Sequence, residues 1–253
     1  MIDRDRKEVE ASEIAFFANY YENTAYNLTG WRLRLNRELH SLRRVLGNQK
    51  PKRVLSIGCG DGAFEIQLAP FAEHITALDL SPQAIQVAQQ TAAKAKVTHV
   101  DFRCLSFADL AWNEKFDVII CLAFLHHVRE PDLPDFLKQV YTHLEPGGFF
   151  YSQDPSIHGV LRKIGRVLLG SNYDKYHSPD ERELDPAELK LLLKSAGFST
   201  VEIDYIDLTL IPMLYILTTG PDWPLYLCAG LDWLWCRSPV ARWASGFKAI
   251  SRK

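Results

Sequence analysis

Short segments rich in apolar residues alternate along this chain with longer amphipathic stretches. Such apolar-rich segments are typical of parallel strands that are buried on both faces of a sheet. They occur at residues 53–57, 75–78, 100–104, 116–122 and 149–153. The stretches after residue 63 and at 82–95 and 131–144 have the periodicity of helices. This alternation predicts an α/β fold with a mostly parallel sheet, right-handed crossovers and helices on both faces.

The two ends of the chain have other patterns. Residues 1–11 are mostly charged and are expected to be frayed, 12–29 hold polar and aromatic side chains, and 31–46 predict an amphipathic helix. A capping box at Asp185 opens a helix that closes at Gly197. Strands six and seven are expected at 200–207 and 246–251. We therefore expect one domain over 1–253, with a helical cap at 1–50, a core at 52–154, and insertions at 155–184 and 208–243.

A glycine-rich turn joins the first strand to the first helix. It contains Gly58, Gly60 and Gly62, and a ligand can approach the backbone of such a turn closely because glycine has no Cβ. The second strand ends in Asp79, 21 positions after Gly58. A carboxylate at this offset can accept hydrogen bonds from both hydroxyls of a ribose. The pattern predicts a site for a cofactor that contains adenosine.

Four motifs identify a family. They are VLSIGCGDG at 54–62, LDLSP at 78–82, FDVII at 116–120 with LHHV at 125–128, and LEPGG at 144–148. In this order they resemble the class I S-adenosylmethionine-dependent methyltransferases, in the type 11 or UbiE-like small-molecule branch. The resemblance covers roughly residues 50–155. It implies S-adenosylmethionine as the cofactor and a Rossmann-like sheet of seven strands in the order 3-2-1-4-5-7-6, with the last strand antiparallel.

The resemblance and the expected strand ends together single out the cofactor contacts. In this family the N-terminal part covers the cofactor, and Tyr20 or Tyr21 is the candidate contact there, with packing against the sheet as the alternative. At Ser56 and Ser106 the chain departs from the family, which usually has an acid at the first position and often at the second. A serine still forms hydrogen bonds but adds no charge. The full set is Tyr20, Tyr21, Ser56, Gly58, Cys59, Gly60, Gly62, Asp79, Leu80, Ser106, Phe107, Leu122 and Ala123.

Candidate catalytic residues follow strands four and five. His126 and His127 come directly after strand four, and a histidine can act as a base near neutral pH. Because many members of the family have a histidine at the second position whatever their substrate, a purely positional role is the alternative. Asp154 at the end of strand five can orient a base or substrate, or cap the following segment.

Composition narrows the class of protein. The 253 residues, 47% hydrophobic and 24% charged, suit a globular chain, and a net charge of −2 does not favour nucleic acid. The five cysteines form no C-x-x-C pair, so we expect neither a metal site nor a disulfide framework. The charged start does not resemble a signal peptide, and a cytoplasmic setting is expected.

The sequence therefore predicts a methyltransferase that uses S-adenosylmethionine and methylates a small or lipid-like acceptor, most readily at oxygen, as a monomer or homodimer. N- and O-methyltransferases share every motif above, so oxygen is an expectation. Two alternatives stay open. One is a non-catalytic protein that binds S-adenosylmethionine, suggested by Ser56 and Ser106. The other is an NAD-dependent oxidoreductase, suggested only by the G-x-G-x-x-A spacing at 58–63.

The insertion at 208–243 is rich in tryptophan. It holds four of the six tryptophans, Trp223, Trp233, Trp235 and Trp243. Its uncharged run at 208–221 is too short to span a bilayer of about 30 Å as a helix. Three hypotheses fit this composition: a packing layer over the sheet, an apolar lid over the acceptor that includes Trp233 and Trp235, and a patch that rests on a membrane surface.

Overall fold

A seven-stranded sheet forms the centre of the protein in this computed structural model. The structure describes residues 5–23, 28–110, 113–170, 177–216 and 221–253, without the side chains of 18–23, 28–29 and 215–216. The strands are β1 Arg53–Ile57, β2 His74–Asp79, β3 Val100–Cys104, β4 Phe116–Leu122, β5 Leu144–Pro155, β6 Thr200–Ile206 and β7 Gly246–Arg252. The order β3-β2-β1-β4-β5-β7-β6 confirms the prediction.

The strand pairing also agrees with the prediction. Strand β1 lies between β2 and β4 and is parallel to both, so that Ser56 is level with Ala77 on one side and Ile120 on the other. Strand β7 is antiparallel to β5 and to β6. The carboxyl ends of β1, β2 and β4 therefore meet at one edge of the sheet, where ligands bind in folds of this kind.

Helices cover both faces of the sheet. Their bounds are α1 Arg6–Asn23, α2 Leu28–Leu46, α3 Ala63–Leu68, α4 Pro82–Lys94, α5 Leu133–His143, α6 Val160–Leu169, α7 Pro186–Ser195, α8 Leu210–Ile216 and α9 Trp223–Trp235. On one face, Leu42 of α2 and Leu68 of α3 pack with Ile120 of β4. On the other, Leu137 of α5 and Leu193 of α7 belong to a second apolar cluster. Burial of these layers is the main term that stabilises the sheet.

The predicted caps of α4 and α7 are present. The Ser81 hydroxyl accepts a hydrogen bond from the Ala84 amide, with Pro82 at the first helical position. The Asp185 carboxylate accepts one from the Ala187 amide, and the chain leaves α7 at Gly197 with a φ of 113°.

Several predicted boundaries were wrong. Residues 6–11, expected to be frayed, form the start of α1, where Val9 is buried and Arg6 pairs with Glu10; residues 1–4 lie outside the described part. The helix expected at 131–144 begins only at Leu133, after a 3₁₀ turn at Glu130–Asp132. The turn expected at 145–148 lies within β5, where the pairing with β4 shifts register. Helix α6 within the first insertion was not predicted.

Buried polar contacts hold α2 over the sheet. Arg37 forms an ion pair with Asp207 at the end of β6. Arg34 donates a hydrogen bond of 2.7 Å to Gln153 of β5. Tyr151, also on β5, donates its hydroxyl to Glu38 over 3.0 Å. Because these partners are buried, loss of one member would leave the other unpaired, which is costly. The position of α2 is thereby fixed relative to the strand ends.

Within the part of the chain that the structure describes, no helix is both long enough and apolar enough to cross a membrane.

Candidate active site

A cavity of about 900 Å³ opens at the carboxyl ends of β1, β2 and β4. Its floor is the glycine turn and the strand ends. Helix α1 lines the opposite side with Val9, Glu13 and Phe17, and α2 contributes Trp31 and Arg34. This volume is at the upper end of the roughly 300–1,000 Å³ range for small-molecule sites. The two N-terminal helices therefore cover the edge at which the sequence placed the ligand.

The glycine turn depends on glycine at two positions. Gly58 has a φ of 73° and Gly62 a φ of 72°, in the left-handed region that L-residues rarely adopt. A Cβ on Gly58 would overlap with the ring of Phe124, and a Cβ on Gly62 would lie 2.6 Å from the ring of Phe102. The turn therefore approaches its neighbours too closely to accept a side chain.

Asp79 ties the glycine turn to the end of β2. One carboxylate oxygen accepts a hydrogen bond of 2.8 Å from the Gly60 amide, and the other accepts one of 2.8 Å from the Ser81 amide. Burial raises the pKa of Asp79, whereas these amide bonds lower it. A carboxylate has about four acceptor positions, so two remain for other donors.

Ser56, at a position where an acid was expected, holds a glutamate. The Ser56 hydroxyl donates a hydrogen bond of 2.6 Å to Oε1 of Glu65, which projects from α3. Glu65 is buried, and burial raises the pKa of its carboxyl to about 7. The chain therefore places a carboxyl group beside the glycine turn from the following helix instead of from the strand.

Ser106 has an analogous neighbour. Its hydroxyl donates to Oε1 of Glu10 over 3.2 Å and accepts a hydrogen bond of 2.7 Å from Arg6. Both partners belong to α1, and all three residues line the cavity. At each of the two positions where an acid was expected, a serine thus holds a glutamate from another element.

His126 is fixed by Asp154. The strand β4 ends at Leu122, and the chain turns at Ala123 with a φ of 53°, a strained conformation for a residue other than glycine. A 3₁₀ turn at Leu125–His127 follows. It places His126 Nδ1 3.0 Å, and the His126 amide 3.2 Å, from Asp154 Oδ1. A proton on Nδ1 leaves Nε2 as the acceptor, which is the arrangement of a general base.

The neighbouring histidine has a different environment. Nδ1 of His127 lies 3.0 Å from Oε2 of Glu13, and the ring packs edge-on against Phe17. The Glu13 carboxylate raises the pKa of His127 against the opposing effect of burial, whereas burial lowers the pKa of His126. The ring of His126 is therefore held neutral, and the ring of His127 is favoured as a cation, which separates their chemical roles.

Residues from the first insertion complete this polar cluster. Oε1 of Glu181 lies 3.9 Å from Nε2 of His126, 3.7 Å from Nε2 of His177 and 3.4 Å from Arg162. Ligand atoms of His126, His127 and Glu181 come within 4.8 Å of one another, close enough to share an ion. Arg162 and a protonated His127 already supply positive charge there, so the cluster suits acid–base chemistry better than cation binding.

The structure brings most of the predicted site residues to this cavity. Asp154 lies beneath His126 and does not line it, nor does Gly62. The side chains of Tyr20 and Tyr21 lie outside the described residues. Phe107 lines the cavity, but its ring packs against Phe136, with 5.0 Å between ring centroids. The predicted residues that line the cavity are Ser56, Gly58, Cys59, Gly60, Asp79, Leu80, Ser106, Phe107, Leu122, Ala123, His126 and His127.

Other polar residues at the site were missed. Glu10 and Glu13 belong to a helix that was expected to be partly frayed, and Glu181 and Arg162 to an insertion without a motif. Glu65 left one signal in the sequence. It shares a helix face with Leu68 and Ala69, both buried. An acid on such an apolar face needs a hydrogen-bond or ion-pair partner.

The tryptophan-rich insertion does not form a lid through Trp233 or Trp235, since neither lines the cavity. The exposed fraction is 64% for Trp233 and 66% for Trp223. The buried side of α9, with Leu225 and Cys228, packs against α8 in a separate apolar cluster. Part of the insertion is therefore a packing layer, and several of its aromatic rings face outward.

Known proteins with a methyltransferase domain are similar to this chain. A family profile described as “Methyltransferase domain” matches residues 54–148. A protein named ubiquinone biosynthesis O-methyltransferase from Methylobacterium nodulans is 31% identical over 155 residues, which cover 59% of this chain and 60% of that protein. A protein of the same name from Burkholderia thailandensis is 28% identical over 176 residues, which cover 68% of this chain and 75% of that protein. The chain thus spans less than two thirds of the Methylobacterium protein.

Solved structures share the fold. Magnesium protoporphyrin IX methyltransferase from Synechocystis, solved with S-adenosylhomocysteine, has a TM-score of 0.61 and 15% identity, covering 98% of this chain and 97% of that one. The N-methyltransferase NodS from Bradyrhizobium japonicum, solved with the same ligand, has a TM-score of 0.59 and 17% identity, covering 94% and 98%. At these identities the likeness extends to the fold alone.

Proposed function

Because the chain belongs to the class I S-adenosylmethionine-dependent methyltransferases, in their type 11 or UbiE-like small-molecule branch, we propose that it methylates an oxygen atom of a small or lipid-like acceptor. The observation that carries this proposal is the contact between His126 and Asp154 in a cavity that also contains the glycine turn. The relatives named for O-methylation support oxygen as the acceptor atom. Residues 1–50 serve as the cap, 52–154 as the cofactor-binding core, and 155–184 and 208–243 as insertions of one domain.

The cavity suits S-adenosylmethionine. The glycine turn leaves room for a ligand against its backbone, Asp79 has free acceptor positions for ribose hydroxyls, and Ser106 with Glu10 offers acceptors for an adenine amine. Oε2 of Glu65 is buried, and no described residue forms a hydrogen bond with it. When bound, S-adenosylmethionine supplies a methyl group on a positively charged sulfur and leaves as a neutral thioether.

His126 removes the proton of the acceptor. A hydroxyl oxygen is a weak nucleophile until it loses its proton, whereas a neutral amine can attack the methyl group first and lose its proton afterwards. Nε2 of His126 is the acceptor for that proton once Nδ1–H is directed to Asp154, which holds the ring and stabilises the imidazolium that forms. The base reaches the substrate only within about 2.6–3.2 Å, so the acceptor oxygen binds beside this ring.

The remaining groups position the reactants and exclude water. A cationic His127, paired with Glu13, offers positive charge to an oxygen as it loses its proton. Phe17 and Trp31 bring aromatic surface to the covered side of the cavity, which suits a flat, apolar acceptor. Covering the site removes water that would otherwise weaken these electrostatic contacts.

The acceptor is proposed to arrive from a membrane surface. Helix α6 turns an apolar stripe outward, with Ile164 50%, Val167 82% and Leu168 75% exposed, and Arg162 faces inward. Helix α9 exposes Trp223 and other aromatic or leucine side chains, and both helices pack on α8. Lys163, Arg166, Arg237 and Arg242 are exposed around these stripes. Apolar and basic side chains together suit a surface of anionic lipid.

Methyl transfer can be measured directly. The protein is incubated with methyl-tritiated S-adenosylmethionine and a panel of catechols and other phenols, with and without an isoprenoid tail, beside matched anilines. We expect label in the phenols, with a higher kcat/KM for those with a tail. Transfer to the anilines alone would contradict oxygen as the acceptor atom. If S-adenosylhomocysteine bound but no acceptor was labelled, a non-catalytic binding role would replace the proposal.

A further inference from the structure

A buried carboxylate beside the glycine turn has no positive partner among the residues that the structure describes. Oε1 of Glu65 accepts the hydrogen bond from Ser56 over 2.6 Å, and Oε2 is buried with no hydrogen-bond partner in the described part of the chain. In the described ranges of the chain, no lysine, arginine or histidine forms an ion pair with Glu65. The negative charges of Asp61 and Asp79 repel the carboxylate of Glu65. An unpaired charge in such a position is costly unless a cation arrives.

The other acidic residues around the cavity already have partners. Among the described residues that line it, each has a cation or the backbone amide of another residue. The contacts are Glu10 with Arg6, Glu13 with His127, Glu38 with Lys248, Asp61 with the Ala63 amide, Asp79 with the Gly60 and Ser81 amides, Asp132 with Arg129, Asp135 with Lys138, Glu181 with Arg162 and Asp207 with Arg37. Glu65 differs because, among the described side chains, its one hydrogen-bond partner is the neutral hydroxyl of Ser56.

We propose that Glu65 binds the α-ammonium group of S-adenosylmethionine and S-adenosylhomocysteine, with Ser56 holding the carboxylate in place. This inference rests on the proposed function, since it names the residue that recognises the amino-acid end of that cofactor. Glu65 and Ser56 line the cavity together with Gly58 and Cys59. The cation neutralises a carboxylate that the fold leaves unpaired, and affinity therefore depends on the amino-acid end of the ligand.

The test compares two ligands by titration calorimetry. S-adenosylhomocysteine carries the ammonium group, and 5′-methylthioadenosine keeps the nucleoside but lacks the amino-acid end. Glu65→Gln should weaken binding of S-adenosylhomocysteine by roughly 10–100-fold and leave binding of methylthioadenosine unchanged. Glu10→Gln is the matched control, because it removes the acid from the other serine–glutamate pair. It should leave the ratio of the two affinities as in the wild type.

A rescue variant strengthens the test. Ser56→Asp in the Glu65→Gln background returns a carboxylate to the same place and should restore most of the lost affinity. If the wild type binds S-adenosylhomocysteine and Glu65→Gln keeps the wild-type ratio, the inference is overturned. If the wild type binds neither ligand, the proposed function itself fails, and the two failures are thereby distinguished.

A measurement on the wild type covers the case in which Glu65→Gln does not fold. Burial together with Asp61 and Asp79 raises the pKa of Glu65 to about 7, so the affinity for S-adenosylhomocysteine relative to methylthioadenosine should rise several-fold from pH 6 to pH 8. Methylthioadenosine corrects for titration of groups near the nucleoside, Asp79 and His127 among them. A constant ratio over this range would contradict the proposal.

Discussion

Asp154 Oδ1 lies 3.0 Å from His126 Nδ1 and 3.2 Å from the backbone nitrogen of the same residue. The carboxylate at the end of β5 therefore fixes both the ring and the turn that carries it. Burial raises the pKa of Asp154 to about 8, although backbone amides at Phe124, Leu125 and His126 oppose this shift. The pair shares its protons, and its titration belongs to both residues.

The rate should rise with pH as this pair loses a proton. Below about pH 8 the protonated carboxyl of Asp154 can donate a hydrogen bond to Nδ1 of His126, so that the ring proton lies on Nε2. Above it, Nδ1–H faces the carboxylate and Nε2 is free to accept. We therefore expect kcat to increase from pH 6 to a plateau above pH 8, and Asp154→Asn to lower the plateau. Asp101→Asn, which removes an acid that pairs with Arg103 outside the cavity, is the control and should keep the position of the rise. A kcat independent of pH would argue against the base.

Asp79→Ala should weaken binding of S-adenosylhomocysteine by about 1.5–3 kcal/mol, because it removes a charged acceptor for the ribose. It should also lower Tm, since the Gly60 and Ser81 amides lose their acceptor. Asp61→Ala is the matched control, an exposed acid of the same turn that contacts only the Ala63 amide among described residues. Equal affinities of the two variants in calorimetry would remove Asp79 from the site.

Stability without ligand should fall as pH rises from 5 to 7. The carboxyl of Glu65 has a pKa of about 7 in the folded chain and a lower one when unfolded. The folded state therefore binds the proton more tightly than the unfolded state does. The stability that this proton provides is lost as the pH rises towards and through 7. Urea unfolding should show this decrease in the free energy of unfolding. In Glu65→Gln the decrease should be smaller, by roughly 3 kcal/mol at most. Asp154 acts in the same direction, so some slope should persist. An identical slope in the variant would show that Glu65 does not titrate this way.

Chelation should not affect the reaction. Arg162 and His127 already balance Glu181 and Glu13, so the histidine cluster needs no metal ion for charge. Dialysis against EDTA should leave kcat within the error of the assay. Loss of activity that Mg²⁺ or Zn²⁺ restores would instead assign His126, His127 and Glu181 to a metal centre.

Vesicle binding should depend on α6. The protein should co-sediment with vesicles that contain anionic lipid, and less so at high salt because the basic residues are then screened. Val167→Asp places a charge in the exposed stripe and should reduce the bound fraction with no loss of Tm. Lys190→Asp on the exposed surface of α7 is the control. Equal recovery of all three proteins, or none with any vesicle, would exclude this surface as the docking site.

The sheet could be predicted from the sequence because its signals are local. Within β4 the five residues 118–122 are apolar without interruption, and Ser81 with Pro82 marks a helix start by side-chain chemistry alone. Asp79 could be placed by its distance from Gly58 along the chain. Each of these features depends on neighbours in sequence, and the structure has them at the expected residues.

The contacts that complete the site could not be predicted in this way. The position of Glu65 on an apolar helix face does not show that its partner is Ser56, and Glu10 meets Ser106 across 96 positions of chain. Helix α6 could have been predicted, because Leu161, Ile164 and Leu168 recur at helical spacing, but the contact of its Arg162 with Glu181 could not. Such pairings depend on how separate elements pack, and the sequence contains no local record of that arrangement.

The exchange of His126 for glutamine tests the central claim most directly. With a phenol that the wild type methylates, His126→Gln should lower kcat by roughly 10²–10⁴-fold while the affinity for S-adenosylhomocysteine stays at the wild-type value. His127→Gln should have a smaller effect, because His127 is held as a cation by Glu13. A decrease of less than threefold in His126→Gln, with binding intact, would contradict His126 as the base.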